Sequence, residues 1–281
     1  MKNLRMNLKA VTAILMLTMV FTACTKDEAT DIPDVQDLDT TEVAQLAEID
    51  EASEAMTDIM IDVYEADFNA SGRTMSRPGG LPDCVTITVV LEQGFREITI
   101  DFGTEGCLVR GNLLKGKIIM TYERDPQAQQ VMISYVLEDF FFNEKNILGS
   151  KTLLKQLSND NGNPQFTHTL DLTVIWPNGV EASREGTKIK EWVEGFGSGI
   201  WSDNVFEITG NWTSTFRNGN THTYEVLIPL RREVICTYFV SGSIDVQRTN
   251  FGGILDFGDG DCDNQATFTF NDGTIREITL N

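Results

Sequence analysis

Histidine is scarce in this sequence, with two among 281 residues, and proline is sparse, with seven. Two histidines cannot supply His-Glu-x-x-His or a histidine-rich metal set. His168 and His222 both fall on the apolar side of a strand pattern, where a hydrogen-bonded core histidine is expected. Basic residues are also few, 22 against 42 acids, for a net charge of −20. Nucleic-acid binding needs clustered Lys and Arg to displace counterions, so nucleic acid is excluded as a partner. No Cys-x-x-Cys pair occurs, which argues against zinc. There is no P-loop, dinucleotide fingerprint or Gly-x-Ser-x-Gly; Gly195-Phe196-Gly197-Ser198-Gly199 has its serine in the wrong place. No catalytic residue is assigned, and the sequence points away from an enzyme. Paired carboxylates of the glycoside-hydrolase kind meet only in space and stay open, with Glu191 and Glu194 beside Trp192 as local candidates.

What the chain does have begins at its start. Residues 1–9 carry Lys2, Arg5 and Lys9 and no acid, and residues 10–20 are an uncharged, largely apolar run of eleven residues. A bilayer span needs about 20 such residues, so this run is a signal-peptide core. Phe21-Thr22-Ala23-Cys24 resembles the bacterial lipobox, with Phe21 where leucine is usual, and implies acylation of Cys24 by palmitate-like chains. Lys26-Asp27-Glu28 resembles the lipoprotein export signal of Bacteroidota. That resemblance implies an outer-membrane lipoprotein, anchored through its N-terminal lipid and facing the cell exterior. Asp39-Thr40-Thr41 resembles the O-glycosylation acceptor of the same bacteria. Residues 25–67 hold fifteen acids against Lys26 alone. Anionic head groups would repel such a tether and hold the domain off the membrane.

The organisation expected is a signal peptide over 1–23, an acidic tether over 24–40, a helix over 41–70, a linker over 71–82 and an antiparallel β domain over 83–281. Val43, Leu46, Ile49, Ala52, Met56, Ile59, Met60 and Val63 recur at steps of three and four, so the helix is amphipathic, with Glu and Asp opposite. It is expected to dock on the domain, or to lid a pocket. From Asp83 onward the period is two. Phe166, His168, Leu170, Leu172 and Val174 share one face; Phe206, Ile208, Trp212 and Phe216 do the same, as do Tyr224, Val226, Ile228 and Leu230, and Ile98, Ile100 and Phe102. Turns are expected at Gln93-Gly94, Asn161-Gly162-Asn163, Pro177-Asn178-Gly179, Asn218-Gly219-Asn220 and Asp272-Gly273. The fold class is mainly β: about a dozen strands in a large antiparallel meander, strongly curved, either barrel-like or a sandwich.

One internal echo stands out. Ile100-Asp101-Phe102-Gly103-Thr104-Glu105-Gly106-Cys107 matches Leu255-Asp256-Phe257-Gly258-Asp259-Gly260-Asp261-Cys262, and each copy follows an earlier cysteine, Cys84 or Cys236. With Cys24 lipidated, four cysteines remain, and four allow three pairings. The echo favours Cys84 with Cys107 and Cys236 with Cys262; the competing pairing joins the two copies. In the second copy Asp259, Asp261 and Asp263, with Asp256, could offer oxygens to Ca²⁺, the one cofactor considered; a solvated acidic turn is the alternative. Residues 255–264, with Ile208-Thr209-Gly210 and Pro229-Leu230, resemble Bacteroidota lipoproteins that have no assigned activity, so this resemblance implies no reaction.

Residues 191–212 are rich in aromatics and glycine. Trp192, Phe196 and Trp201 read as a long loop, where Trp192 and Trp201 could stack on a ligand or cap the β core. The function expected is therefore that of a lipid-anchored surface protein with a non-catalytic β domain, in a binding or structural role. Its partner would be a glycan, a lipid or an envelope protein. The alternatives are a carrier of an apolar ligand within the curved sheet and a glycan-binding module. An open cavity under residues 43–63 would mark a carrier.

Overall fold

A computed structural model of the protein describes residues 40–70, 78, 80–92, 94–125, 127–248 and 251–280, with side chains of the helix from Gln45 onward. The lipobox, the export signal, most of the linker and Gln93 lie outside these residues. From Ala44 the chain forms one unit.

Among the described residues one α-helix, α1, spans Thr40–Phe68. It contains no glycine or proline and is rich in Ala and Glu, residues that lose little on entering a helix. Fourteen strands follow: β1 (Thr86–Glu92), β2 (Phe95–Asp101), β3 (Cys107–Val109), β4 (Asn112–Glu123), β5 (Gln130–Phe142), β6 (Lys145–Gln156), β7 (Gln165–Ile175), β8 (Glu181–Glu194), β9 (Val205–Phe216), β10 (Thr221–Glu233), β11 (Ser241–Arg248), β12 (Phe251–Asp259), β13 (Gln265–Phe270) and β14 (Ile275–Thr279). They build one antiparallel sheet in sequence order, with the short β3 paired to the start of β4. The fold is thus mainly β, a long meander with one N-terminal helix, as the alternating pattern predicts. Turns fall at the glycine sites named above, for example Gly179 N–H to Trp176 C=O at 2.9 Å and Gly219 N–H to Phe216 C=O at 2.8 Å.

The sheet is strongly curved. Between β4 and β9 lie five strand spacings, about 24 Å in a flat sheet. Yet the Arg110 guanidinium, just before β4, lies 4.2 Å from the Trp201 ring in the β8–β9 connection. The concave face buries Ile98, Ile100, Ile118, Met120, Ile133, Leu153, Phe166, Leu170, Phe206 and Ile208 in one cluster with Ile49, Ala52, Met56, Ile59, Met60 and Val63 of α1. Burying one such side chain contributes about 1.5–3 kcal/mol, so the helix is a major part of the core.

Three expectations need correction. The helix is not half wet: Ile61 and Tyr64 are buried beyond the predicted stripe, and so are Glu54, Asp58 and Asp67 on the acidic side. Strand β8 runs on to Glu194, so Trp192 belongs to a strand and not to a loop. In β10 the alternation fails at Ile228, which is 57% exposed, because register shifts on either side of it break the pairing with β11.

Candidate functional site

On the concave face buried charged side chains of both signs converge, and they come from two periodicities. Along α1, Asp50, Glu54, Asp58 and Asp62 follow one another every four residues, about 6 Å of rise. Along β8, Arg184, Lys188 and Lys190 all point inward, and positions two apart are separated by about 6.6 Å. The near-match lets the two rows interlock. Arg184, fully buried, pairs with Asp50 and donates Nε–H to Ser214 Oγ at 3.0 Å. Lys188 Nζ donates to Asp50 Oδ1 at 2.9 Å and to Glu54 Oε1 at 3.0 Å. Lys190 Nζ donates to Glu54 Oε2 at 3.3 Å and pairs with Asp58. The ammonium groups of Lys188 and Lys190 also sit 4.4 Å from the Trp212 and Phe206 ring centroids.

Other strands extend the ladder. On β6, Lys145 meets Glu48 at 3.2 Å and Lys155 pairs with Glu65. Trp176 donates its indole N–H to Glu48 at 2.6 Å. Arg110 pairs with Asp62, and Tyr122 donates its hydroxyl to Asp67 at 2.5 Å. Higher-numbered acids meet higher-numbered partners on β6 and β8, so α1 runs in the same direction as these strands.

Burial works against Asp50 and Glu54 as anions, but the cations Arg184, Lys188 and Lys190 outweigh it and hold both carboxyls below their ordinary range. Burial also disfavours the Lys188 ammonium, yet Asp50 and Glu54 raise its pKa. Asp62 differs: burial dominates over Arg110 and lifts its carboxyl to about 6. Asp50, Glu54, Arg184, Lys188 and Lys190 neutralise one another away from solvent and tie the helix to β8.

Histidine 168 is in this interior, with Nε2 2.8 Å from the Tyr135 hydroxyl and Nδ1 3.3 Å from Thr57 Oγ1. His222 is buried on β10, edge-on to Phe216. Both are core histidines, as expected. The cavity between helix and sheet, lined by Glu54, Thr57, His168, Lys188 and Lys190 with three apolar side chains, measures about 10 Å³. That is room for about one water and far too little for an acyl chain.

Trp192, Trp201, Glu191 and Glu194 do not gather into one site. Trp192 is buried against Phe196 and Phe206, and half-buried Trp201 lies under Arg110. Neither indole is a free stacking platform. Glu191 accepts hydrogen bonds from Asn161 at 3.0 Å and Asn163 at 2.8 Å. Slight burial opposes them, but these amides hold its carboxyl below the ordinary value, which does not suit a general acid. Glu194 pairs with Arg231 at 2.7 Å. Asp256, Asp259, Asp261 and Asp263 line an open cleft of about 350 Å³. Among the described residues, no three carboxylate, histidine or cysteine side chains converge as metal ligands. The calcium expectation at Asp259, Asp261 and Asp263 is therefore not carried forward: Asp256 and Asp263 bend inward to accept Gly258 N–H at 2.8 Å and Gln265 N–H at 2.9 Å.

The echo is structural. Disulfides join Cys84 to Cys107 and Cys236 to Cys262. In both copies the motif's Asp accepts the glycine N–H two residues on, at 2.8 Å, and that glycine has positive φ, 74° at Gly103 and 87° at Gly258. Sequence reasoning missed the ion-pair ladder, although a signal was present: Arg184, Lys188 and Lys190 share strand parity with Ala182 and Trp192. No family model, no curated protein and no solved structure matches the chain.

Proposed function

We propose that the chain is a lipid-anchored outer-membrane surface protein whose β domain acts as a non-catalytic binding or structural module. The observation that carries this reading is that the concave face of the sheet, where a ligand would otherwise enter, is filled by the chain's own helix through buried ion pairs. Interaction with anything else then falls to the outside of the sheet, its rims and its edges. The two disulfides add support, because such bonds persist in exported proteins and not in a reducing cytosol. The lipobox and Lys26-Asp27-Glu28 supply the address. Against a carrier stands the small space, about 10 Å³, between the described helix and the sheet, and against a glycan reading built on Trp192 and Trp201 stand the burial of Trp192 and the Arg110 guanidinium over half-buried Trp201. Among partners, an envelope protein is the reading kept.

Metabolic labelling with a palmitate analogue tests the anchor: label is expected on the wild-type chain and absent from Cys24→Ala. Protease treatment of whole cells tests the outward orientation. Protection from an added protease, with cleavage only after lysis, would place the domain inside the envelope and overturn that part of the reading.

A further inference from the structure

Among the described residues the path of the meander ends on two strands with a single neighbour each, β1 and β14, beside the three-residue β3 that pairs only with β4. An open edge offers a row of unpaired backbone N–H and C=O groups, and proteins normally blunt it with charge, proline, bulges or shortness. Strand β14 is blunted: it has five residues and carries Arg276 and Glu277 at its middle. Strand β1 is not. Thr86-Ile87-Thr88-Val89-Val90-Leu91 contains no charge, proline or glycine and is dominated by β-branched side chains. Its register with β2 runs without a shift from Thr86 opposite Asp101 to Glu92 opposite Phe95. Val90 and Leu91 are 44% and 41% exposed, so both reach solvent. The strand is also fixed in place, because the Cys84–Cys107 disulfide pins the chain two residues before it.

We infer that the β1 edge pairs with the β1 edge of a second copy of this chain, antiparallel about a two-fold axis at Val89. In that register Val89 meets itself and Ile87 meets Leu91 on one face, while Thr88 meets Val90 and Thr86 meets Glu92 on the other. Every pair is apolar, or polar without like charges, which is what cross-strand pairing favours. The one acid, Glu92, faces a threonine and never its own copy. Pairing β1 with β14 instead would be head-to-tail and would build rings or open filaments rather than a closed dimer. The β1–β1 contact closes on itself and leaves the guarded β14 edge as the outer end of the described sheet path in each copy.

The test uses the full chain carrying Cys24→Ala, so that an introduced thiol is the only unpaired one. Val89→Cys is expected to yield a disulfide-linked dimer under mild oxidation, and Val90→Cys much less of it. Light scattering across a concentration series is expected to show a dimer that dissociates on dilution. Val90→Lys should shift that equilibrium to monomer at least tenfold while leaving the melting temperature of the monomer close to wild type. A chain that stays monomeric at every concentration overturns the inference, and so does a dimer indifferent to Val90→Lys. A monomer whose β1 edge is taken by an extended peptide of another protein overturns it too.

Discussion

Replacing Lys190 by Met would leave Asp58 without its ammonium partner and Glu54 with Lys188 alone. Breaking a buried pair from one side costs about 3–5 kcal/mol, because the remaining charge stays desolvated. Lys190→Met is therefore expected to lower the urea midpoint strongly, and adding Asp58→Asn to recover part of the loss. If Lys190→Met were neutral, the ladder would not be holding the helix. The carboxyls also set a pH profile with two slopes. Asp50 and Glu54 are held below their ordinary range, so the stability they contribute is complete above that range and is lost as pH falls into and below it. Asp62 has the opposite sign: its carboxyl is raised to about 6, so its contribution is greatest below the ordinary carboxylate range and is lost as pH rises through about 6. Urea midpoints measured between about pH 3 and pH 7 should show the acid-side loss in wild type. In Asp62→Asn the decline approaching pH 6 should flatten.

Among the elements, the β4–β5 pair contains a point where only glycine fits. Gly116 has a φ of 78°, and a Cβ there would sit 2.0 Å from the Asp139 carbonyl oxygen. The register between β4 and β5 shifts at this place, so the bulge and the glycine are one device. Gly116→Ala is expected to cost at least about 1–3 kcal/mol, read as a drop in melting temperature. The two echo corners make a paired expectation. Their disulfides span 23 and 26 residues, so each should contribute a similar amount, about 3 kcal/mol. Replacing either cysteine pair by serine should lower the urea midpoint comparably, and a tenfold difference between them would show that the corners are not equivalent. These elements were legible to different degrees. Period-two runs such as Phe166 to Val174 disclosed their strands because burial on one face is enforced residue by residue. Strand β10 disclosed itself less well, since a bulge moves Ile228 to solvent and its local mark in the sequence is the single proline beside it, Pro229.

For the whole molecule, the filled interior makes a direct expectation: a fluorescent fatty acid should show no saturable binding. Saturable uptake would mean that the helix leaves its seat. The meander, the helix limits and the preferred cysteine pairing were all legible in the sequence, because each rests on local periodicity or on the repeated Asp-Phe-Gly corner. The seat of the helix was not. Its acids, read alone, resemble a solvated face, and only the inward parity of Arg184, Lys188 and Lys190 on a strand more than 100 residues away reveals that they are covered. Trp192 was misplaced for a related reason, since the glycines at 195, 197 and 199 drew the loop boundary too early.

The shared direction of α1, β6 and β8 has a mechanical consequence. Tension applied to the chain upstream of Thr40 along the helix axis would not peel ion pairs away one at a time. It would load Glu48, Asp50, Glu54, Asp58 and Glu65 against their strand partners together, in shear. A domain held by its N-terminus in flowing surroundings would then resist extraction of its innermost element through the summed strength of the row and not through its weakest member.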